Sequence, residues 1–134
     1  MKRALIDTDI LSYYFKGNPK VIGHFESYLG IFDSIEICII TYYEITSGLL
    51  AKKAFRQLQV FEQFVDENKI IPLTKKSSKI SAELYAPLRQ TGNPIDDIDI
   101  LIAGVAIENE MVLVTNNEKH VGRILNLKIE NWTL

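Results

Sequence analysis

The sequence predicts a single α/β domain with a mostly parallel central sheet of about five strands, flanked by helices on both faces. Short apolar, β-branched segments alternate with longer segments of helical periodicity in the order β-α-α-β-α-α-β-α-α-β-(α)-β. Parallel strands need crossover connections, and the helices between successive strands supply them. With 134 residues, the chain has room for one hydrophobic core, so residues 1–134 are expected to form one domain.

The first part of the chain carries one strand and two helices. An apolar run that ends at a carboxylate predicts a buried strand over residues 4–7. Thr8 or Asp9 is expected to cap the helix that follows, because both side chains can accept a hydrogen bond from a backbone N–H. The Gly-Asn-Pro sequence at 17–19 ends that helix, and a second helix covers residues 21–29.

The middle of the chain repeats this order. A β-branched run predicts a buried strand over residues 35–40. Thr41 is then expected to cap a helix that carries Glu44. Apolar residues at helical spacing predict a further helix over residues 55–65. Residues 70–73 form another short strand, in which a proline favours an edge or exit position.

The last part of the chain completes the pattern. Residues 76–89 are predicted to be helical, with a kink at Pro87 that ends the helix. Residues 97–108 place apolar side chains on one face of another helix. Short apolar runs predict a strand over residues 111–114 and a last strand near residues 127–130.

Composition and charge exclude several classes of protein. The chain has 15 Lys and Arg against 17 Asp and Glu, a net charge of −2, which excludes a protein that holds nucleic acid by bulk charge but not a nuclease. The longest uncharged run, residues 100–107, is far shorter than the ~20 residues that span a bilayer, and Asp7 interrupts the apolar start too early for a secretory signal. The single cysteine, Cys38, is expected to be a buried thiol, which suits a cytoplasmic protein with no membrane partner.

The candidate functional residues are three acids in apolar surroundings and one further polar residue: Asp7, Glu44, Asp99 and Asn117. Asp7 ends the first strand, and Asn117 follows the strand over residues 111–114. The other two lie in the first or second turns of helices. Because ligands of parallel sheets collect at the carboxyl ends of the strands, these four side chains are expected to share one crevice.

Converging carboxylates need a cation. Two carboxylates ~4 Å apart repel each other by about 4 kcal/mol at an effective dielectric constant of ~20, and a fold tolerates this only with a compensating cation or a bound proton. Mg²⁺ or Mn²⁺ suits such hard oxygen ligands and can activate water for an in-line displacement at phosphorus. Zinc is not expected, because His24 in a helical stretch and His120 in a loop form no His/Cys pair at zinc-ligand spacing.

Each acid taken alone also has a purely structural interpretation. Asp99 would favour a helix N-terminus beside Asp96 and Asp97, where an acid gains ~0.3–1 kcal/mol. Asp9 is more simply a helix cap than a ligand, and one of Asp96 and Asp97 is expected to be a cap as well. Glu44 has no capping role in the middle of its helix, so it is the acid that is hardest to explain without a site.

The order of five short segments resembles the PIN-domain family, and more closely its VapC-like ribonuclease toxins from type II toxin–antitoxin systems. The segments are LIDTDIL at 5–11, TYYEITSG at 41–48, GNPIDDIDILIAG at 92–104, LVTNN at 113–117 and ENW at 130–132. Any one of these motifs is a weak signal, whereas their order and spacing over nearly the whole chain are a strong one. The resemblance implies a PIN-like nuclease domain.

This resemblance implies a metal-dependent endoribonuclease that hydrolyses RNA phosphodiester bonds. In this interpretation Asp7, Glu44 and Asp99 hold Mg²⁺ or Mn²⁺, and the ion lowers the pKa of a water that attacks the phosphodiester. Thr115 and Asn117 would shape the site or orient a water there.

Three positions depart from the family's pattern. Asn117 stands where many members have Asp, which implies weaker metal affinity but does not exclude activity. Asp9 stands where Asn or Ser is common, and it would partly restore the acidic field. Asp96 replaces a usual glycine, and no consequence follows from the sequence.

Macromolecular partners are also implied by the resemblance. RNA would be the substrate, with tRNA among the candidates, and a small antitoxin protein would cover an apolar groove and send a basic side chain into the acidic site. The residues that could line such a groove are Tyr13, Tyr14, Phe15, Leu49 and Leu50. Each of these is also a candidate core residue. Family members commonly dimerise, which implies a homodimer here.

Two other functions stay open at the level of the sequence. A catalytically weak PIN-like module that binds RNA or protein is favoured by Asn117 in place of an acid. A phosphatase of the haloacid dehalogenase type is suggested by the Asp-Thr-Asp sequence at 7–9 after an apolar strand, with Asp7 as the covalent nucleophile. The short chain, Leu11 where that motif has Thr or Val, and the lack of a role for Glu44 argue against the phosphatase.

Overall fold

A five-stranded sheet forms the centre of the fold, and all of its strands run parallel. The computed structural model describes residues 2–92 and 94–134. The strands are β1 (Ala4–Ile6), β2 (Glu36–Cys38), β3 (Lys69–Ile71), β4 (Val112–Val114) and β5 (Ile129–Glu130). Their order across the sheet is β3-β2-β1-β4-β5, so β1 is central and its carboxyl end lies in the middle of one edge.

Helices connect the strands in the predicted order. They are α1 (Thr8–Phe15), α2 (Pro19–Leu29), α3 (Ile39–Ala51), α4 (Phe55–Asp66), α5 (Lys75–Gln90), α6 (Asp97–Glu108) and the short α7 (Glu118–Val121). In the described part of the chain, no helix has both the length and the apolar character needed to cross a bilayer.

Two apolar clusters cover the two faces of the sheet. Because side chains alternate along a strand, Leu5 and Leu113 lie in one cluster while Ile6 and Val114 lie in the other. Helices α5 and α6 pack over the first cluster, and α1, α2 and α4 pack over the second. Cys38 is a buried free thiol in the first cluster, as predicted. The predicted α/β class with helices on both faces is confirmed.

Asp7 is the N-cap of α1, so the prediction that Thr8 or Asp9 caps this helix is wrong. The backbone of Asp7 is extended, with φ −74° and ψ 161°, and its carboxylate accepts a hydrogen bond from the Thr8 N–H at 2.8 Å. The helix follows the strand without a loop, which leaves the acid at the strand end as the last non-helical residue. This cap holds the Asp7 carboxylate at the carboxyl edge of the sheet.

Helix α3 begins three residues earlier than predicted, at Ile39, and Cys38 is its N-cap without a side-chain hydrogen bond. Thr41 therefore does not cap it, and the strand predicted over residues 35–40 covers only Glu36–Cys38. Isoleucines at the start of a helix favour a strand by local propensity, and tertiary packing overrides this preference. Thr41 is instead a buried residue at the third position of the helix.

The sequence predictions for α5, α6 and α7 have different outcomes. Helix α5 continues through Pro87 to Gln90, because the proline lies on an exposed stretch where water can satisfy the carbonyl that it frees. Asp96 is the N-cap of α6 and accepts from the Ile98 N–H at 2.8 Å, as expected for one of the two neighbouring acids. His120 lies in the short helix α7 and not in a loop.

The opposite edge of the sheet holds a buried acid, Glu36, which was not among the candidate residues. Glu36 begins β2, and Arg3 binds it through two hydrogen bonds, from Nε to Oε1 at 3.1 Å and from Nη2 to Oε2 at 2.7 Å. A bidentate pair of this kind satisfies both oxygens of the carboxylate. Arg3 therefore compensates the buried charge of Glu36, whereas the described residues contain no such ion pair at the carboxyl edge.

Candidate functional site

The carboxylate of Asp7 lies at the carboxyl end of the central strand, where the residue is only 6% exposed. Its Oδ1 accepts from the Thr8 N–H, and its Oδ2 accepts from the Thr115 hydroxyl at 2.8 Å. Thr115 follows β4, and its hydroxyl oxygen also accepts from the Asn117 N–H at 3.0 Å. The ends of two adjacent strands therefore fix the position of this carboxylate.

Helix α3 brings Glu44 to the same edge. The Thr8 hydroxyl donates to Oε1 of Glu44 at 2.6 Å, and it lies 3.2 Å from the hydroxyl of Thr41. Thr8 directly follows Asp7 in the sequence, so this hydrogen bond holds the Glu44 side chain beside the neighbour of the buried Asp7.

The first turn of α6 contributes Asp99. Asn117 donates from Nδ2 to Oδ2 of Asp99 at 3.3 Å, which joins α6 to the segment that follows β4. Asp97 is exposed, and Asp96 serves as the cap of the helix. Of the three acids at the start of α6, Asp99 is thus the one that contacts a residue of the predicted site.

Asp9 connects α1 to the loop that follows β4. Its Oδ1 accepts from the Ile10 N–H at 2.7 Å, and its Oδ2 accepts from the Asn116 N–H at 3.0 Å. All six predicted residues therefore lie along this edge, joined by hydrogen bonds: Asp7, Asp9, Glu44, Asp99, Thr115 and Asn117.

Burial raises the pKa values of Asp7, Asp9 and Asp99, and nearby acids add to the rise at Asp7 and Asp99. Burial, followed by the charge of Asp9 and then that of Asp99, raises the pKa of Asp7 from 3.8 to about 7 in spite of two hydrogen bonds that lower it. Burial also raises the pKa of Asp9. Burial, together with the charges of Asp96 and Glu44, raises the pKa of Asp99. The acids therefore lie close enough to disfavour one another's ionised form.

No ion pair neutralises these acids within residues 2–92 and 94–134, although the charge of His120 partly lowers the pKa of Asp99. The one ion pair found there within 4.0 Å is Arg3–Glu36, at the opposite edge of the sheet. The same residues contain no set of three or more His, Cys, Asp or Glu side chains arranged as a preformed metal site. The acids are neighbours rather than a closed ligand shell, and their oxygen atoms are donors of the class that Mg²⁺ and Mn²⁺ prefer.

Thr8 and Thr41 are site residues that sequence reasoning did not assign. Their hydroxyls lie 3.2 Å apart beside Glu44, whereas the sequence predicts both as helix caps. The sequence nevertheless contains an indication that each of them lies near the acids. Thr8 directly follows the acid at the strand end, and Thr41 precedes Glu44 by three residues, which places the two side chains on one face of a helix.

Replacing Asn117 with Asp is expected to tighten Mn²⁺ binding by about tenfold, because a further carboxylate beside Asp99 raises the charge of the site. Without metal, the same substitution is expected to lower the melting temperature, since the Asn117–Asp99 hydrogen bond becomes a repulsion. Titration calorimetry with Mn²⁺ measures the first effect. Asn126→Asp adds the same charge at an exposed position near the opposite edge and serves as the control. Equal Mn²⁺ affinity in both variants would remove Asn117 from the site.

Comparisons with known proteins find similarity along nearly the whole chain. The PIN domain family profile matches residues 4–123. "Ribonuclease VapC2" of Rickettsia felis is 33% identical over 129 residues, which are 96% of either protein. "tRNA(fMet)-specific endonuclease VapC" of Salmonella typhimurium is 28% identical over 137 residues and covers 98% of this chain and 99% of the relative. A solved structure of VapBC2 from Rickettsia felis, bound to a DNA fragment from the promoter, aligns with a TM-score of 0.87 at 32% identity, over 96% of this chain and 98% of that chain.

Proposed function

The chain belongs to the PIN domain family, and on that premise we propose that it is an endoribonuclease that acts as the toxin of a toxin–antitoxin pair. Relatives named ribonuclease or tRNA(fMet)-specific endonuclease support the nuclease activity, and similar VapBC structures support the toxin–antitoxin role. The observation that carries the proposal is the buried carboxylate of Asp7, with Glu44 and Asp99 near it and no cationic side chain paired with them in the described residues.

Mg²⁺ or Mn²⁺ is the proposed cofactor, held by Asp7, Glu44 and Asp99. Support comes from the chemistry of the donors, since Asp7 and Asp99, whose pKa values are raised, gain free energy when a hard divalent cation neutralises their charges. When bound, such an ion stabilises the charge that develops on a phosphodiester and makes water a stronger nucleophile.

The other residues of the site orient these carboxylates. The Thr115 hydroxyl fixes Asp7, the Thr8 hydroxyl fixes Glu44, and the Asn117 amide contacts Asp99. A carboxylate oxygen has two acceptor positions, so each of these hydrogen bonds leaves one position on the same oxygen for a cation or a water. The protein thus presents acceptor oxygens in fixed directions toward one edge of the sheet.

RNA is the proposed substrate, with tRNA among the candidates, and a small antitoxin protein is the proposed inhibitor. Phe15 and Leu50 are 40% and 49% exposed, while Tyr13, Tyr14 and Leu49 are half-buried against the core. Of the predicted groove residues, Phe15 and Leu50 are therefore the ones that offer free apolar surface to a partner. A homodimer and a cytoplasmic location complete the proposal, as the resemblance implies.

The two alternative functions raised by the sequence are not equally supported. A haloacid-dehalogenase-type phosphatase loses its basis, since the family match and the named relatives support a nuclease. A PIN-like module that binds without cleaving is still favoured by one observation, the amide of Asn117 where an acid would add charge, and it is an outcome of the following test.

Purified protein, freed of any antitoxin, is expected to cut labelled single-stranded RNA or bulk tRNA when Mg²⁺ or Mn²⁺ is present. EDTA is expected to stop the reaction, and Asp99→Asn is expected to reduce the rate by at least about a hundredfold, because losing a metal ligand costs more than losing a residue that orients one. Cleavage that persists in EDTA and in the variant would contradict the proposal. A folded protein that binds RNA but cuts neither substrate with either metal would establish the binding-only module instead.

A further inference from the structure

The side-chain amide of Asn131 contacts the residues on both sides of Asn117. Asn131 follows β5, and its Nδ2 donates to Oδ1 of Asn116 at 3.0 Å and to Oε2 of Glu118 at 3.0 Å. One amide group thus connects the end of the chain to the two neighbours of a predicted site residue.

The orientation of this amide is fixed by Thr133. Oδ1 of Asn131 accepts from the Thr133 N–H at 3.0 Å and from the Thr133 hydroxyl at 2.7 Å. Because both of these donors contact the oxygen, the nitrogen of the amide must face the loop. Trp132 lies between the two residues, is only 4% exposed and packs edge-on against Phe25. The segment over residues 131–133 is therefore anchored in the core.

The loop that Asn131 contacts carries several of the contacts of the acidic site. Its Thr115 hydroxyl donates to Asp7, and the Asn116 N–H donates to Asp9. Its Asn117 amide reaches Oδ2 of Asp99 at 3.3 Å, a long hydrogen bond that depends on where the loop lies. A small shift of the loop would therefore change the contacts of more than one acid together.

We infer that Asn131 is a positioning residue for the proposed reaction, which holds Asn117 against Asp99 by binding both of its neighbours. This inference rests on the proposed nuclease function. Asn131 contacts neither Asp7 nor Asp99 itself, so it acts only through the loop. Its hydrogen bonds to Asn116 and Glu118 are exposed, so they contribute little to global stability. Loss of a residue that orients a metal site typically costs about 10–100-fold in affinity or activity.

Asn131→Asp tests this role with almost no change in shape. The new carboxylate faces the carboxylate of Glu118, so this contact becomes a repulsion, and the contact with Oδ1 of Asn116 loses its donor. We expect kcat for RNA cleavage to fall about tenfold while KM stays within about twofold, and Mn²⁺ affinity measured by calorimetry to fall about tenfold. A second variant, Asn131→Asp with Glu118→Gln, restores a donor–acceptor pair and is expected to recover most of both losses.

Asn109→Asp is the matched control. Asn109 follows the other end of α6, and its Nδ2 donates to the Val105 carbonyl at 2.8 Å. This variant also loses an amide donor and gains a negative charge, and we expect it to keep wild-type kcat and Mn²⁺ affinity even if its melting temperature falls as much as that of Asn131→Asp.

The outcomes separate this inference from the proposed function. Wild-type kcat and Mn²⁺ affinity in Asn131→Asp would overturn the positioning role, as would equal losses in the Asn109→Asp control. If the wild-type protein cleaves no RNA, the proposed function fails, and the calorimetric comparison of Mn²⁺ affinities still decides whether Asn131 positions the acidic site.

Discussion

Asp7→Asn is expected to abolish metal-dependent RNA cleavage and, at the same time, to make the metal-free protein more stable at pH 8. Loss of activity follows because Asp7 is the central acid of the site and Asn carries no charge for a cation. The gain in stability follows because burial and the nearby acids raise the pKa of Asp7 from 3.8 to about 7. Above pH 7 the folded protein therefore carries a negative charge on Asp7, which burial and the nearby acids disfavour.

The pH dependence of this effect has a definite sign. Between pH 4 and pH 7, folded Asp7 binds a proton that the unfolded chain has released, so the free energy of unfolding falls as the pH rises through this window. The difference between a pKa of 3.8 and one of about 7 lowers the free energy of unfolding of the wild type by about 4 kcal/mol at pH 8. Asp7→Asn removes this loss of stability. Part of the resulting gain is offset because the hydrogen bond from Thr115 weakens in the variant, at a cost of about 1 kcal/mol.

Thermal unfolding in EDTA at pH 8 and at pH 4.5 measures this prediction. We expect Asp7→Asn to be about 2–3 kcal/mol more stable than the wild type at pH 8, with the difference nearly gone at pH 4.5. Asp33→Asn removes an exposed acid and is the matched control, with little change at either pH. A clear drop in the metal-free melting temperature of Asp7→Asn at pH 8 would contradict the convergence of the acids.

Gly104→Ala is expected to destabilise the protein by about 3 kcal/mol, a large effect for the addition of one methyl group. Gly104 is buried in α6 where this helix packs against α5. A Cβ at this position would lie 2.6 Å from the Ser77 carbonyl oxygen and would overlap the Ser81 hydroxyl. The carbonyl belongs to the backbone and cannot rotate away, so the two helices must separate, and interiors packed this tightly resist such shifts.

Urea denaturation measures the free energy of unfolding for this variant. Gly23→Ala is the control, because Gly23 is an exposed position in α2 where an added Cβ meets no atom within 4 Å. Helix propensity alone then predicts that Gly23→Ala gains up to about 1 kcal/mol. Equal free energies of unfolding in the two variants would show that α5 and α6 are not in close contact at Gly104.

The order of the elements could be predicted from the sequence, whereas several of their ends could not. Apolar periodicity separates strands from helices over five or more residues, and the alternation of the two implies a parallel sheet. Helix starts depend on single side chains and on packing. Ile39 begins a helix although its β-branched side chain favours a strand, and Asp7 caps α1 because no loop separates it from Thr8.

The same limit holds for the site. That Asp7, Asp99 and Glu44 lie at one edge could be predicted, because an acid in apolar surroundings is costly and the topology of a parallel sheet places strand ends together. The Thr8 hydroxyl that holds Glu44, and the Asn131 amide, could not be assigned by periodicity. Their roles depend on the direction of a side chain, and exposed polar residues leave no pattern that fixes it.

Calorimetric titration of the metal-free protein with Mn²⁺ at pH 8 is the most direct test of the site as a whole. Wild type, Asp7→Asn and the control Asp33→Asn would be compared under identical conditions. The arrangement of Asp7, Glu44 and Asp99 predicts saturable binding to the wild type and to Asp33→Asn with the same affinity, and binding to Asp7→Asn that is at least about tenfold weaker. Equal affinity in all three proteins, or no binding by the wild type, would contradict a divalent metal site at the carboxyl end of β1.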